Sequence, residues 1–127
     1  HWAEYDYSVI NQNVDDAFSK DLLAGYAKMF PDTKYLFTAG SAATGMYRGI
    51  KFYEAAVTET KGDLHREAVS AAMDHGKLAN GPGGGAEMVP GHMHCKMNMH
   101  IAQCKAHGDK ASYDIISKYD MVDPKEC

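Results

Sequence analysis

A run of glycines restricts the fold more than any other feature of this 127-residue chain: residues 80–85 read Asn-Gly-Pro-Gly-Gly-Gly. Glycine weakens the interior of helices and strands, and proline lacks a backbone N–H, so the run must be a turn or loop. Apolar residues recur at helical spacing before it and alternate after it. The sequence therefore predicts an α/β chain of three helices followed by a β-meander. It forms a single segment over 1–127, because no linker is long enough to divide domains.

Three helices are predicted before the glycine run, at about residues 14–29, 42–60 and 64–75. In each, apolar side chains recur every three or four residues and so share one face of a helix. The apolar face of the second helix consists of Met46, Ile50, Tyr53 and Val57, and we expect it to cause aggregation unless a partner covers it. Gly45 and Gly49 each cost up to about 1 kcal/mol in a helix interior. We expect a neighbouring backbone to approach them closely and offset that cost.

Three strands are predicted after the glycine run, at about residues 86–89, 92–105 and 111–117, with a turn at 107–109. In the long strand, alternation places one set of side chains on one face, namely His92, His94 and His100. The opposite face then carries Met93, Cys95, Met97, Met99 and Ile101.

This histidine-, methionine- and cysteine-rich segment, residues 92–107, has two interpretations. Imidazole suits zinc and copper(II), and thioether and thiolate suit copper(I), so a small copper- or zinc-binding protein using His92, His94 and His100 is one alternative. Methionine and free cysteine also pack as ordinary apolar groups. The sequence favours the second interpretation, and we expect neither a metal nor any other cofactor.

Charge and motif content argue against several classes of function. The net charge is −4 and the 13 basic residues are scattered, whereas nucleic-acid surfaces need clustered lysine and arginine, so no nucleic-acid partner is expected. The glycine run lacks the Lys-Ser/Thr of a phosphate-binding loop and precedes a strand rather than a helix. His94 and Cys95 point to opposite faces of a strand and cannot form a nucleophilic pair. We therefore predict no catalytic residues and no enzyme activity.

The cysteines do not identify the compartment of the protein. Cys95, Cys104 and Cys127 make an odd number, so at least one thiol is free or bonded to another chain. If Cys95 and Cys104 share one strand they lie roughly 30 Å apart, which is too far for a disulfide. Pairing of Cys127 with either of them stays open.

Several sequence blocks, in order, resemble the C-terminal third of the type I solute-binding proteins of ABC importers. The group that handles branched-chain amino acids, urea and short amides is the most similar. No single block is diagnostic, and the likeness rests on their succession. The blocks are Val14–Phe18 with Phe30–Asp32, Gly49–Val57, Asp63–Ala72, Gly81–Pro90 and Asp123–Cys127.

This resemblance implies a fold of two α/β lobes that close on a ligand. The implied function is non-catalytic capture of a small polar solute, such as an amino acid, an amide or a urea-like molecule. The implied location is the periplasm, with permease subunits of the importer as partners. The chain looks too short for the whole cleft, so the rest of the binding protein, or another chain, would complete it. Trp2 and Tyr5 lie near the implied cleft and are the predicted ligand-binding residues. The alternative is that these rings cover the hinge or pack on a missing segment.

Overall fold

The computed structural model describes residues 2–4, 17–34, 41–108 and 110–124. Within them the chain forms three helices and a five-stranded antiparallel sheet, which confirms the predicted α/β class. The elements in chain order are β1 (Trp2–Glu4), α1 (Ala17–Met29), α2 (Ser41–Glu59), α3 (Arg66–Met73), β2 (Lys77–Leu78), β3 (Ala86–Met88), β4 (Cys95–His107) and β5 (Lys110–Val122). The sequence does not predict β1 or β2, because two or three residues are too few to show a period.

The long strand begins later than the sequence predicts. Residues 92–94 lie outside β4, since Met93 has a φ of 38°, which no extended strand accommodates. The backbone N–H of Val89 instead donates to the carbonyl of His94, 2.9 Å away, and closes a turn. At its other end the strand turns where expected: His107 pairs with Lys110. The predicted alternation of side chains therefore does not extend to the first two histidines.

The sheet is organised around β4. On one edge it pairs with β5 from Met97 to His107. On the other edge β3 pairs with Cys95–Met97 and β1 pairs with His100–Ala102, so β1 and β3 lie end to end. The short β2 extends the sheet beyond β3. Among the described residues, β5 pairs with β4 and with no other strand, which leaves its outer edge unpaired.

The buried face of α2 is not its most apolar face. Residues at strict four-residue spacing are buried, and they are Thr44, Arg48, Phe52 and Ala56. Met46, Ile50 and Tyr53 of the apolar face are 68, 59 and 48% exposed. Hydrophobic periodicity does not detect the buried face because two of its members are polar. Of the apolar face, Val57 is half-buried and packs against the core.

The small core joins α2 to α3. Ala56 of α2 packs with Val69 and Ala72 of α3, and Met73 contacts this cluster. The small side chains of Ala56 and Ala72 allow the two helices to approach each other closely. At the other end of α2 the rings of Phe18 and Tyr47 meet edge to face with centroids 5.9 Å apart, which places the start of α1 beside α2.

Candidate functional site

The predicted ligand-binding residues lie at the beginning of the chain. In β1, Trp2 is the backbone partner of Ala102 in β4, so it sits at the edge of the sheet. Tyr5 lies outside the described residues. Contact of either ring with a solute stays a prediction.

The predicted histidine set is only partly brought together. The rings of His92 and His94 lie close together in the turn before β4, with centroids 5.6 Å apart and planes inclined by 38°. His100 is buried in the middle of β4, where its backbone partners are Glu4 and Lys118. Within the described residues, no three histidine, cysteine or acidic side chains cluster as metal ligands would. The structure therefore groups two of the three histidines and separates them from the third.

A buried arginine holds the glycine-rich loop against α2. Arg48 is 3% exposed, and its Nη2 donates a hydrogen bond to the carbonyl oxygen of Pro82. Its Nη1 lies 3.5 Å from the sulfur of Met97 in β4. The guanidinium group thus links the helix, the loop and the central strand. The four-residue spacing of Arg48, Phe52 and Ala56 is the sequence signal for this buried face. A search for hydrophobic residues does not detect it, because Arg48 is charged.

The glycines of the loop are required by close contacts. A Cβ atom on Gly85 would lie 2.7 Å from the carbonyl oxygen of Leu78. Gly84 has a φ of 116°, and a Cβ there would lie 2.6 Å from Nδ2 of Asn98. The predicted turn or loop is confirmed, and the backbone of Leu78 lies close to it.

Asn98 ties this loop to both long strands. Its Nδ2 donates to the carbonyl of Gly83 at 3.0 Å, and its Oδ1 accepts from the N–H of Met121, also at 3.0 Å. The β4–β5 register shifts between Met97 and Met99, and Met121 has a φ of 45°. The amide oxygen of Asn98 therefore accepts a hydrogen bond from a backbone N–H that lies at a bulge between β4 and β5. Nothing in the sequence pattern predicts this role.

Cys95 is a free, half-buried thiol at the start of β4. Burial raises the pKa of this thiol, and the nearby positive charge of Arg48 partly opposes that rise. A raised pKa keeps the group protonated, and the thiolate is the reactive form. The raised pKa therefore disfavours nucleophilic chemistry at Cys95 near neutral pH.

Two further ionisable pairs each contain an exposed histidine. Asp63 accepts hydrogen bonds from the backbone N–H of His65 at 2.9 Å and from its ring at 2.7 Å, and these bonds lower the pKa of the carboxyl. The ring of His75 lies 2.9 Å from a carboxylate oxygen of Glu59. Exposed pairs of this kind contribute little to stability. Neither pair is oriented by a third group toward a reacting centre in the described residues.

The solvent-facing side of α2 is a candidate interface. We call Met46, Ile50 and Tyr53 the outer face; they follow each other at four- and three-residue spacing and are exposed. Cβ atoms built on Gly45 and Gly49 meet nothing within 4 Å among the described residues, so the predicted close approach of backbone is not made there. Contiguous exposed apolar patches on a soluble domain commonly mark contact surfaces. Within the described part of the chain, no helix is long and apolar enough to span a membrane.

Comparison with known proteins gives matches in structure only. No protein-family model matches the sequence, and no curated protein does. An ABC transporter substrate-binding protein from Sphaerobacter thermophilus superposes with a TM-score of 0.71 at 14% identity, covering 94% of this chain and 30% of that one. The solute-binding protein of an ABC transporter from Rhodopseudomonas palustris BisB5, solved in complex with 3,4-dihydroxybenzoic acid, gives 0.70 at 24% identity, covering 93% and 35%.

The extent of these superpositions defines what they mean for the fold. Each covers nearly all of this chain but only about a third of the solved structure. The TM-scores of 0.71 and 0.70 establish a shared fold. The identities are low, so the activity has to be argued separately. This chain has the fold of one part of an ABC-transporter solute-binding protein.

Proposed function

We propose that this chain is the C-terminal part of a type I solute-binding protein, which captures a small polar solute for an ABC importer. The observation that carries the proposal is the superposition of 93–94% of the chain on two such proteins with TM-scores of 0.70 and 0.71. The resemblance of the sequence blocks points independently to the same class. Capture is reversible, and no bond in the solute is made or broken.

Two surfaces support a larger assembly around this chain. The outer face of α2 leaves Met46 and Ile50 mostly exposed, although both are large apolar residues. The outer edge of β5 presents backbone donors and acceptors to which no described strand is bonded. Natural proteins cover or pair such surfaces. We infer that the remainder of the binding protein, or another chain that completes the fold, packs on them.

The solute proposed from the sequence resemblance is an amino acid, a short amide or a urea-like molecule. The Rhodopseudomonas palustris protein was solved with 3,4-dihydroxybenzoic acid, so an aromatic acid is the natural comparison compound. In a two-lobe protein, a solute that contacts both lobes shifts an equilibrium between open and closed forms. Closure would present the loaded protein to permease subunits at the periplasmic face of the membrane.

The first test is the intact mass of the protein isolated from its natural source. We expect a species about three times the 13.9 kDa of this chain, or a second chain of complementary size bound to it. A 13.9 kDa species alone, whether in the periplasmic or the cytoplasmic fraction, would contradict the proposal. Recovery in the periplasmic fraction would support the proposed location.

The second test is solute binding by that intact protein. Calorimetric titrations with leucine, urea, acetamide and 3,4-dihydroxybenzoate should give saturable binding for one class and a matching rise in Tm. Replacement of the predicted ring residues, Trp2→Ala and Tyr5→Ala, should weaken that binding by about tenfold or more if they pack on the solute. Silence from every compound in the panel would count against solute capture.

A further inference from the structure

The turn that precedes β4 is held in one conformation by backbone hydrogen bonds. The N–H of Val89 donates to the carbonyl of His94 at 2.9 Å, and the N–H of His92 donates to the carbonyl of Val89 at 3.0 Å. Oδ1 of Asp74, at the end of α3, accepts from the N–H of Gly91 at 2.7 Å. The turn is therefore fixed both within itself and to the neighbouring helix.

An uncommon backbone conformation lies between the two histidines of this turn. Met93 has a φ of 38°, a left-handed value that is unfavourable for a residue with a side chain, and it is 88% exposed. Such strain of roughly 1–3 kcal/mol persists when the surroundings enforce it, and it is concentrated at functional sites. Here it accompanies two imidazole rings held side by side.

The distance between those ring centres allows both imidazoles to coordinate one ion. In a tetrahedral site with metal–nitrogen bonds of about 2.0–2.1 Å, two imidazole centroids lie roughly 5–6 Å apart. The centroids of His92 and His94 are 5.6 Å apart. His94 is exposed and His92 half-buried, so an ion can reach the pair from solvent.

We propose that His92 and His94 bind one divalent transition-metal ion of the zinc, nickel or copper(II) type, with water completing the coordination. Imidazole is a good ligand for these ions and a poor one for calcium or magnesium, which prefer oxygen. His100, buried elsewhere in β4, takes no part. This site does not depend on the proposed solute-binding function.

The test uses untagged protein that has never contacted a metal-affinity column. Calorimetric titration with ZnCl₂ and NiCl₂ should show one saturable site, and MgCl₂ should give no heat of binding. His92→Gln and His94→Gln should each raise the dissociation constant at least about tenfold. Loss of a group that only orients a metal ligand already lowers metal affinity about 10- to 100-fold. The matched control is His65→Gln, an 87% exposed imidazole outside the turn, which should leave the affinity unchanged.

Thermal unfolding without metal shows whether each variant is folded, and excess Zn²⁺ should then raise the Tm of the natural protein but not that of His94→Gln. The proposal is overturned if either histidine variant binds as tightly as the natural protein. It is equally overturned if His65→Gln loses as much affinity, or if binding appears only above about 1 mM metal.

Discussion

The side chain of Asn98 occupies the space that a side chain at position 84 would need: a Cβ on Gly84 would lie 2.6 Å from its Nδ2. Gly84 also has a φ of 116°, which other residues rarely adopt. We therefore expect Gly84→Ala to lower the free energy of unfolding by about 1–3 kcal/mol, measured by urea denaturation. Gly25→Ala, at a position in α1 where no other described residue lies within 4 Å of the new Cβ, should instead raise it by up to about 1 kcal/mol. Equal stability of the Gly84→Ala variant would contradict this reading of the loop.

Removal of the buried guanidinium should release the glycine-rich loop. Arg48→Met keeps much of the side-chain volume but loses the hydrogen bond to the carbonyl of Pro82. Bonds from a charged donor contribute about 1.5–3 kcal/mol, and we expect a loss of that size in urea unfolding. Arg66→Met, at an arginine whose side chain is 89% exposed, should change stability by less than about 0.5 kcal/mol. A loss at position 48 no larger than at position 66 would show that the buried contacts are not stabilising.

The reactivity of Cys95 should report its burial. Because burial raises the pKa of this thiol, alkylation near neutral pH should be slower than for a free cysteine peptide. Measurement in a variant that carries Cys104→Ser and Cys127→Ser restricts the alkylation to Cys95. The charge of Arg48 opposes the rise, so Arg48→Met should slow alkylation further while the protein remains folded. Reaction as fast as the peptide would contradict the raised pKa.

The same thiol gives a pH dependence of stability. Its pKa is higher in the folded than in the unfolded protein, so the folded state binds its proton more tightly. The resulting stabilisation is full below the ordinary thiol pKa of about 8.5 and is lost as pH rises through the folded value. Cys95→Ala should remove this part of the alkaline dependence, as followed by urea unfolding between neutral and alkaline pH.

Self-association should depend on the outer face of α2. Ile50 is 59% exposed, and Ile50→Lys places a charge in the middle of this apolar patch. We expect lower self-association by sedimentation velocity and unchanged secondary structure by circular dichroism. Thr58→Lys, at an exposed polar position on the same helix, is the control and should leave self-association as it is.

Gly49 distinguishes the chain alone from the proposed larger assembly. In the 127-residue chain, a Cβ on Gly49 meets none of the described residues within 4 Å, so Gly49→Ala should raise the free energy of unfolding by about 0.4–1 kcal/mol. If another part of the binding protein packs closely on the outer face, the same change in the intact protein should give no gain or a loss. A full gain in both would indicate that nothing approaches Gly49.

The parts of the fold that the sequence predicts are those with a distinctive composition or a regular spacing of apolar residues. The glycine-rich loop was located because few conformations suit its composition, and β4 and β5 because each is long enough to alternate. The buried side of α2 was missed because Thr44 and Arg48 are polar, and a hydrophobic pattern selects Met46 and Ile50 in their place. Burial of Arg48 depends on the carbonyl of Pro82, a contact 34 residues away in sequence.

The candidate sites show the same division between local pattern and long-range contact. The sequence places His92 and His94 close together. It does not show that Met93 between them has a left-handed backbone conformation, or that both histidines lie before the strand that contains His100. Asn98 was not singled out because its role depends on Gly83 and on a register shift opposite Met121. Contacts of this kind are made only once the sheet and the loop are assembled.

The outer edge of β5, which no described strand pairs, has a consequence for handling the chain in isolation. Its thirteen residues offer a template onto which a second copy can add, strand by strand, toward fibrils. Lys118 and Asp120, both exposed on this strand, interrupt its apolar residues Ile116, Tyr119 and Met121 with charge. Neutralising the two charges together should therefore turn a soluble preparation into one that seeds its own aggregation.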